Sequence, residues 1–464
     1  MARINKALDE LRKTFEACGM DKIDVKRFNH RAGLNLLNMF GEVVDTRVLG
    51  RSTYKQLNEM LLLTFFAVLG GANTWVDIAA FGRSSLKWLR KFSPFENGTP
   101  SHDQIEYIFG KVDPDQFQSV IIKFLMGNIR HIKKCLGIDT TGDGCFEHWA
   151  IDGKEERGTG RSYSEKEGGK IKNIQTLHVW NTTDGACIYS KAIETKTNEI
   201  PVAQKFLEEQ ESLDGVIITF DALHTQRKTV GIISEKGGNY VAGLKGNQAG
   251  LEEDAQGYFS DEALAEIKAK GVNYHVDNEK AHSQIEKREY YLVTPEADKE
   301  RDAKWKGLAA FICCRKTITP VNPSLDETVE TRYYMASLTD VDICAEAIRR
   351  HWLCESGHWN LDYTFEEDYN TTMNVNAFEN LSLVFKLILA LLKLLQTTPE
   401  YKGCSINTIR KMFSWNPEEN CRKLFTFLDK KELSKLFSDA NLTDRDKEKI
   451  SKSLEKMAKD PLAS

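Results

Sequence analysis

A chain of 464 residues with 41% hydrophobic and 28% charged side chains is long enough for two or three domains and has the composition of a soluble globular protein. Its formal net charge of −5 argues against a non-specific nucleic-acid binder, which needs an excess of Lys and Arg to neutralise phosphates. The tilt is uneven: residues 1–150 hold 20 Lys and Arg against 17 Asp and Glu. The ten cysteines show no CxxC pairing, so they read as reduced thiols of a cytosolic protein and not as a disulfide framework.

The N-terminal "MARINKALDELRKTFEACGM" is charged and amphipathic and lacks the apolar centre of a signal peptide. The runs "MLLLTFFAVLGGA" and "LSLVFKLILALLKLL" are shorter than the roughly 20 residues that span a bilayer. They read as buried helices, which points to a cytoplasmic, nucleoid-associated protein with no membrane partner. Residues 1–140 form a helical region, with Thr74 and Ser101 as N-caps.

The pattern changes after Gly142. "CFEHWAIDG" reads as a strand, and "KNIQTLHVWNTTDGACIYSKAIET" as a hairpin about Asp184-Gly185. A helix, the buried strand "DGVIITFDA", another helix and the strand "NYVAGLK" follow. This order implies a mixed α/β sheet with both faces covered. Residues 250–340 interrupt it with the strand-like runs "KREYYLVT", "GLAAFICCRK" and "TRYYMASL". Helices resume at 341–400, and the tail 401–464 reads as helical and peripheral.

Asp152 and Asp221 each sit where an apolar strand is expected to end, in "AIDG" and "TFDA". Ligands of such sheets bind beyond the carboxyl ends of strands. Two converging carboxylates repel unless a cation lies between them, and oxygen donors suit Mg²⁺. A third acid is sought on a neighbouring helix, and "HWLCESGHWNLDYTFEED" offers Glu355, with Asp362 in reserve. In that stretch His351, Cys354, Glu355 and His358 share one face of a continuous helix, which raises a rival zinc site. Trp352, Leu353 and Trp359 beside the ligands, and Gly357 between them, count against zinc. The later acids, Glu366, Glu367 and Asp368, read as a solvated turn.

Over residues 35–396 the chain resembles the DDE transposases of bacterial insertion sequences, in the H-repeat-associated branch. The resemblance lies in "FFAVLGGANTWVDIAAFG", "WLRKFSPFENGTPSHD", "AIDGK", "KTNEIP", "FDALHTQ", "YVAGLKGNQ", "ETRYYMASL" and "HWLCESGHWNLDYTFEED". It implies a transposase-associated N-terminal domain (1–140), an RNase H-like catalytic core (145–249 and 341–400) and a β-rich insertion (250–340). It also implies Asp152, Asp221 and Glu355 as the metal-binding catalytic carboxylates, 69 and 134 residues apart, with Mg²⁺ or Mn²⁺, two ions in all, and no organic cofactor. The expected activity is metal-dependent cleavage of double-stranded DNA at terminal inverted repeats, then strand transfer into target DNA by a homodimer. The expected DNA contacts are Lys154, His224, Gln226, Lys245, Asn247, Arg288 and His351, with His282 and Glu286 in the same block as Arg288.

The chain departs from the family's pattern at the third acid. "CESGHW" is one residue shorter than usual, with Ser356 in place of Asn. Gln284, Thr371 and Met373 stand where basic residues are expected. Each lost phosphate contact weakens DNA binding, so the alternative is a catalytically weak or inactive relic that only binds DNA.

Overall fold

The computed structural model describes residues 30–47, 55–136, 146–162, 170–193, 198–281, 284–322, 324–396, 401 and 403–429. Five helices come first: α1 (His30–Gly41), α2 (Leu57–Leu69), α3 (Trp75–Leu89), α4 (His102–Phe109) and α5 (Pro114–Leu136). Thr74 and Ser101 cap α3 and α4 in reciprocal capping boxes with Asp77 and Gln104. Helix α2 is apolar on all sides because every residue but Asn58 is buried. Among the described residues no helix is long and apolar enough to cross a membrane.

The central unit runs β1 (Glu147–Glu156), β2 (Ile174–Asn181), β3 (Ala186–Ile193), α6 (Glu199–Glu209), β4 (Val216–Phe220), α7 (Arg227–Glu235) and β5 (Asn239–Leu244). Gly185 closes the expected hairpin with φ 68°, a left-handed conformation that glycine adopts without Cβ strain. The strand order is β3-β2-β1-β4-β5. Strands β1, β2 and β3 are antiparallel, whereas β4 runs parallel to both β1 and β5. This is the RNase H-like arrangement.

The section expected to interrupt the sheet extends it instead. After α8 (Ala249–Gly257) and α9 (Asp261–Lys270) come β6 (Tyr274–Ala281), β7 (Gln284–Val293), α10 (Lys299–Lys304), β8 (Ala310–Pro320) and β9 (Thr328–Ala336). Strand β9 pairs antiparallel with β5 through Val241–Leu244, giving one nine-stranded sheet, β3-β2-β1-β4-β5-β9-β8-β7-β6. The pairing removes the open edge that β5 would otherwise present. Strand β6, "YHVDNEKA", is charged because it is itself the outer edge, and that polarity hides it from an apolar-run reading.

Helices α11 (Val341–His351), α12 (Leu353–Tyr363) and α13 (Val375–Gln396) return to the sheet. One sheet face packs Ile151, Ile218, Phe220 and Ala242 against Phe206, Leu207, Val230 and Ile233 of α6 and α7. The other packs Ile217, Val241 and Ile312 against Cys344, Ala345 and Ile348 of α11. The apolar α13 joins Trp180 and Ala186 of the sheet to the N-terminal helices.

Residues 403–429 depart from the expectation of a peripheral tail, and 430–464 lie outside the described residues. Helices α14 (Ile406–Trp415) and α15 (Pro417–Leu428) bury Ile406, Ile409, Phe413, Leu424 and Phe425 in the same core as α2 and α13. Arg410 is 3% exposed and donates to the carbonyls of Val68 (2.8 Å), Ala72 (3.2 Å) and Thr364.

Candidate active site

Side chains alternate between the two faces of a strand. Ala150 and Ile151 of β1 enter different cores, so Asp152 shares the face of Ala150, under α12. On β4, Ile217 and Ile218 divide in the same way, which puts Asp221 on the α11 side. The parallel ladder ends at Ile151–Phe220. Asp152 and Asp221 therefore follow side by side where that pairing stops. Strand β1 does not end there, as the sequence suggested, but stays paired with β2 as far as Glu156.

Three groups contact the Asp152 carboxylate. Its Oδ1 accepts from the Gly153 amide at 2.9 Å. Its Oδ2 lies 3.7 Å from Cys354 Sγ, a thiol donor, and 3.6 Å from His358 Nδ1. Burial, then the negative charges of Asp221, Glu199 and Glu355, push the Asp152 pKa up to about 7. Four carboxylates, Asp152, Asp221, Glu199 and Glu355, thus act on one another here. Burial also raises the pKa of Glu355, although Arg332 and Lys316 beside it pull the other way. Oxygen-only donors crowded to this degree fit a hard divalent cation.

The zinc geometry is not formed. The chain breaks at Trp352, which ends α11 and begins α12, so His351 leaves the face carrying Cys354, Glu355 and His358. His351 Nδ1 meets Thr219 Oγ1 at 3.1 Å, and burial lowers its pKa to about 4. His358 turns towards Asp152 and meets His178 Nδ1 through Nε2 at 2.8 Å. Burial and the ammoniums of Lys154 and Lys386 lower the His358 pKa to about 3. Gly357 lets α12 touch the sheet: a Cβ there would lie 2.7 Å from the Trp180 ring.

Several expected DNA contacts have other occupations. Lys154 is 7% exposed. Its ammonium lies 2.8 Å from Asp362, 3.2 Å from Glu367 and 3.8 Å from Asp368, and also pairs with Glu156. Among the described residues Glu156, Asp362 and Asp368 have the spacing of a cation site, and Lys154 is the cation in it. The acidic run after α12 is thus no solvated turn: Glu367 is fully buried and accepts from Ser382. Burial lowers the charge preference of Lys154, but Glu367 and Glu156 outweigh it and raise its pKa.

Arg288 is 9% exposed and pairs with Glu279 at 3.2 Å and with Glu286, so it closes a cross-strand charge group. His224 is 1% exposed, with Nε2 3.2 Å from Glu199. The Gln226 amide donates to the Leu223 carbonyl at 3.1 Å, and the Asn247 amide braces the same turn at the Ala222 carbonyl, 2.5 Å away. Lys245 is exposed just after β5. His282 lies outside the described residues.

Two residues near the carboxylates escaped the sequence reading. Glu199, at the start of α6, places its carboxylate in the space that a side chain at Gly153 would fill. Arg332 lies over the Trp352 ring at 4.5 Å. Both fall inside blocks already quoted, "KTNEIP" and "ETRYYMASL", but nothing local marks Glu199 as more than a first-turn acid.

Residues 37–125 match the DDE_Tnp_1-associated family, and residues 143–391 match the transposase DDE domain. The chain is 31% identical to "Putative transposase YncI" of Escherichia coli O157:H7, covering 77% of this chain and 87% of that one. It is 30% identical to "H repeat-associated putative transposase YhhI" of Escherichia coli strain K12, covering 71% and 83%. A solved piggyBac transposase synaptic complex with hairpin DNA overlaps 91% of this chain and 85% of its own at 13% identity, with a TM-score of 0.36. That likeness is too slight to bear on the fold, which rests on the strand order. The chain belongs to the DDE transposases, in their H-repeat-associated branch.

Proposed function

We propose that this chain cuts DNA at the terminal repeats of an insertion sequence and transfers the freed ends to target DNA. In this reading Asp152, Asp221 and Glu355 hold divalent metal, Mg²⁺ or Mn²⁺. The supporting observation is the adjacency of Asp152 and Asp221 where the β1–β4 ladder stops, beneath the helix that bears Glu355. When bound, the metal supplies Lewis acidity and neutralises charge building on the phosphate.

The protein's own part is positioning. The Gly153 amide, Cys354 and His358 fix Asp152. A neutral His358 leaves the carboxylate's charge for the metal. Arg332 and Lys316, which act on Glu355, replace Lys154 and Arg288 as candidates for phosphate contact, together with the exposed Lys245.

The test is nicking of a duplex carrying the element's terminal inverted repeat, with Mg²⁺ or Mn²⁺. Asp152→Asn, Asp221→Asn and Glu355→Gln are each expected to abolish nicking while the repeat stays bound. Repeat binding by the unaltered protein without nicking would replace this reading with that of a binding-only relic.

A further inference from the structure

In the antiparallel ladder of β1 and β2 the residue opposite Asp152 is His178, and opposite residues of such a ladder share a face. His178 therefore lies under α12 beside the carboxylate, two residues before the Trp180 ring on which Gly357 rests. That close approach brings His358 down to the sheet. His178 Nδ1 meets His358 Nε2 at 2.8 Å, and the two ring centroids are 4.9 Å apart. The other nitrogen of His358, Nδ1, faces Asp152 Oδ2 at 3.6 Å. His178 is fully buried, and among the described residues its Nε2 has no hydrogen-bond partner.

Burial, then the ammoniums of Lys386 and Lys154, keeps the positive charge off both rings. A neutral imidazole has one N–H and one lone pair, so the contact between the rings allows two arrangements. In the first, His178 Nδ1 donates. His358 then carries its proton on Nδ1, towards Asp152, and His178 keeps only a buried lone pair at Nε2. In the second, His358 Nε2 donates. Its Nδ1 lone pair then faces the Asp152 carboxylate, and His178 buries an N–H with no acceptor. The second arrangement sets lone pair against carboxylate and orphans a donor, and orphaned buried donors are rarer than orphaned acceptors. Each end of the chain of contacts thus selects the first arrangement. The hydrogen bond made by one ring nitrogen decides which nitrogen carries the proton.

We propose that His178 is a positioning residue for Asp152: by donating to His358 it fixes the proton on His358 Nδ1, and that N–H orients the carboxylate for the cation. This inference rests on the reading of Asp152 as a metal-holding carboxylate. Groups that orient a metal-binding side chain from behind typically change metal affinity by 10- to 100-fold.

The test is Mn²⁺ binding to the full chain without DNA, read from the paramagnetic resonance of free Mn²⁺, so that no cutting enters the measurement. His178→Phe keeps a ring and removes the donor, and should weaken binding about tenfold. His178→Asn places an amide N–H near the Nδ1 position and should restore most of the affinity. In a His358→Asn background, where the orienting ring is gone, His178→Phe should cause no further loss. ¹⁵N NMR of the unaltered protein labelled in its histidines should show His358 protonated at Nδ1, a result that needs no variant to fold. Unchanged affinity in His178→Phe, a loss that His178→Asn does not restore, a full further loss in the His358→Asn background, or a bare His358 Nδ1 would each overturn the proposal and leave the transposase reading in place. Mn²⁺ bound as tightly by Asp152→Asn as by the unaltered protein would overturn both.

Discussion

Replacing Lys154 by Met separates a structural lysine from a DNA-binding one. The substitution keeps the length of the stem and removes the ammonium that lies 2.8 Å from Asp362 and 3.2 Å from Glu367 and also pairs with Glu156. Removing one partner of a buried ion pair costs about 3–5 kcal/mol, because the remaining charge is stranded. Two features bring the figure to the lower end. Lys386 remains 3.8 Å from Glu367, and Glu156, its pKa raised to about 8 by burial and Glu367, readily takes up a proton. A loss of about 3 kcal/mol, at about 2–4 °C per kcal/mol for a domain of 150–250 residues, lowers the melting temperature by about 6–12 °C. The assay is thermal unfolding followed by circular dichroism. The deficit should also depend on pH. Burial raises the Glu367 pKa, but Lys386 and Lys154 outweigh it and hold the carboxyl at about 2. A depressed folded pKa stabilises above the ordinary value of 4.5 and loses that effect as pH falls towards 2. The difference between Lys154→Met and the unaltered protein should therefore narrow from pH 4.5 downwards. A variant that melts within about 1 °C of the unaltered protein, yet binds DNA with a salt slope lower by about 1, would refute the structural role.

Gly357→Ala sets about 1 kcal/mol of helix propensity against overpacking of a 2%-exposed indole. Overpacking costs about 1–3 kcal/mol, so urea unfolding should show a net loss of up to about 2 kcal/mol, and a gain would contradict the close approach of α12. Arg410→Ala strips donors from three backbone carbonyls and should cost about 3 kcal/mol, read by the same method. An unchanged midpoint would mean that α14 is peripheral after all. Asp221→Asn removes a like charge facing Asp152, so the metal-free protein should melt slightly higher. The rise in melting temperature that Mn²⁺ gives the unaltered protein should vanish, and its survival would exclude Asp221 from the metal.

Much of this architecture was legible in the sequence because its signals are local. The Asp184-Gly185 hairpin, the caps at Thr74 and Ser101 and the buried run of α2 each lie within a few residues of chain. Strand β6 was missed because an edge strand carries charge. The break at Trp352 was missed because two helices meeting there keep the periodicity of one.

The sequence alone suggested most strands and helices of the central unit and named Asp152, Asp221 and Glu355 as candidates, since hairpin, cap and family signals are written in consecutive residues. Tertiary structure decided what each charge does. Lys154 neutralises acids more than 200 residues away, and Glu199 joins the carboxylates from the opposite side of Gly153. His358 supports Asp152 instead of zinc. A charge takes its role from burial and from its nearest opposite charge, and both depend on contacts between segments distant in sequence.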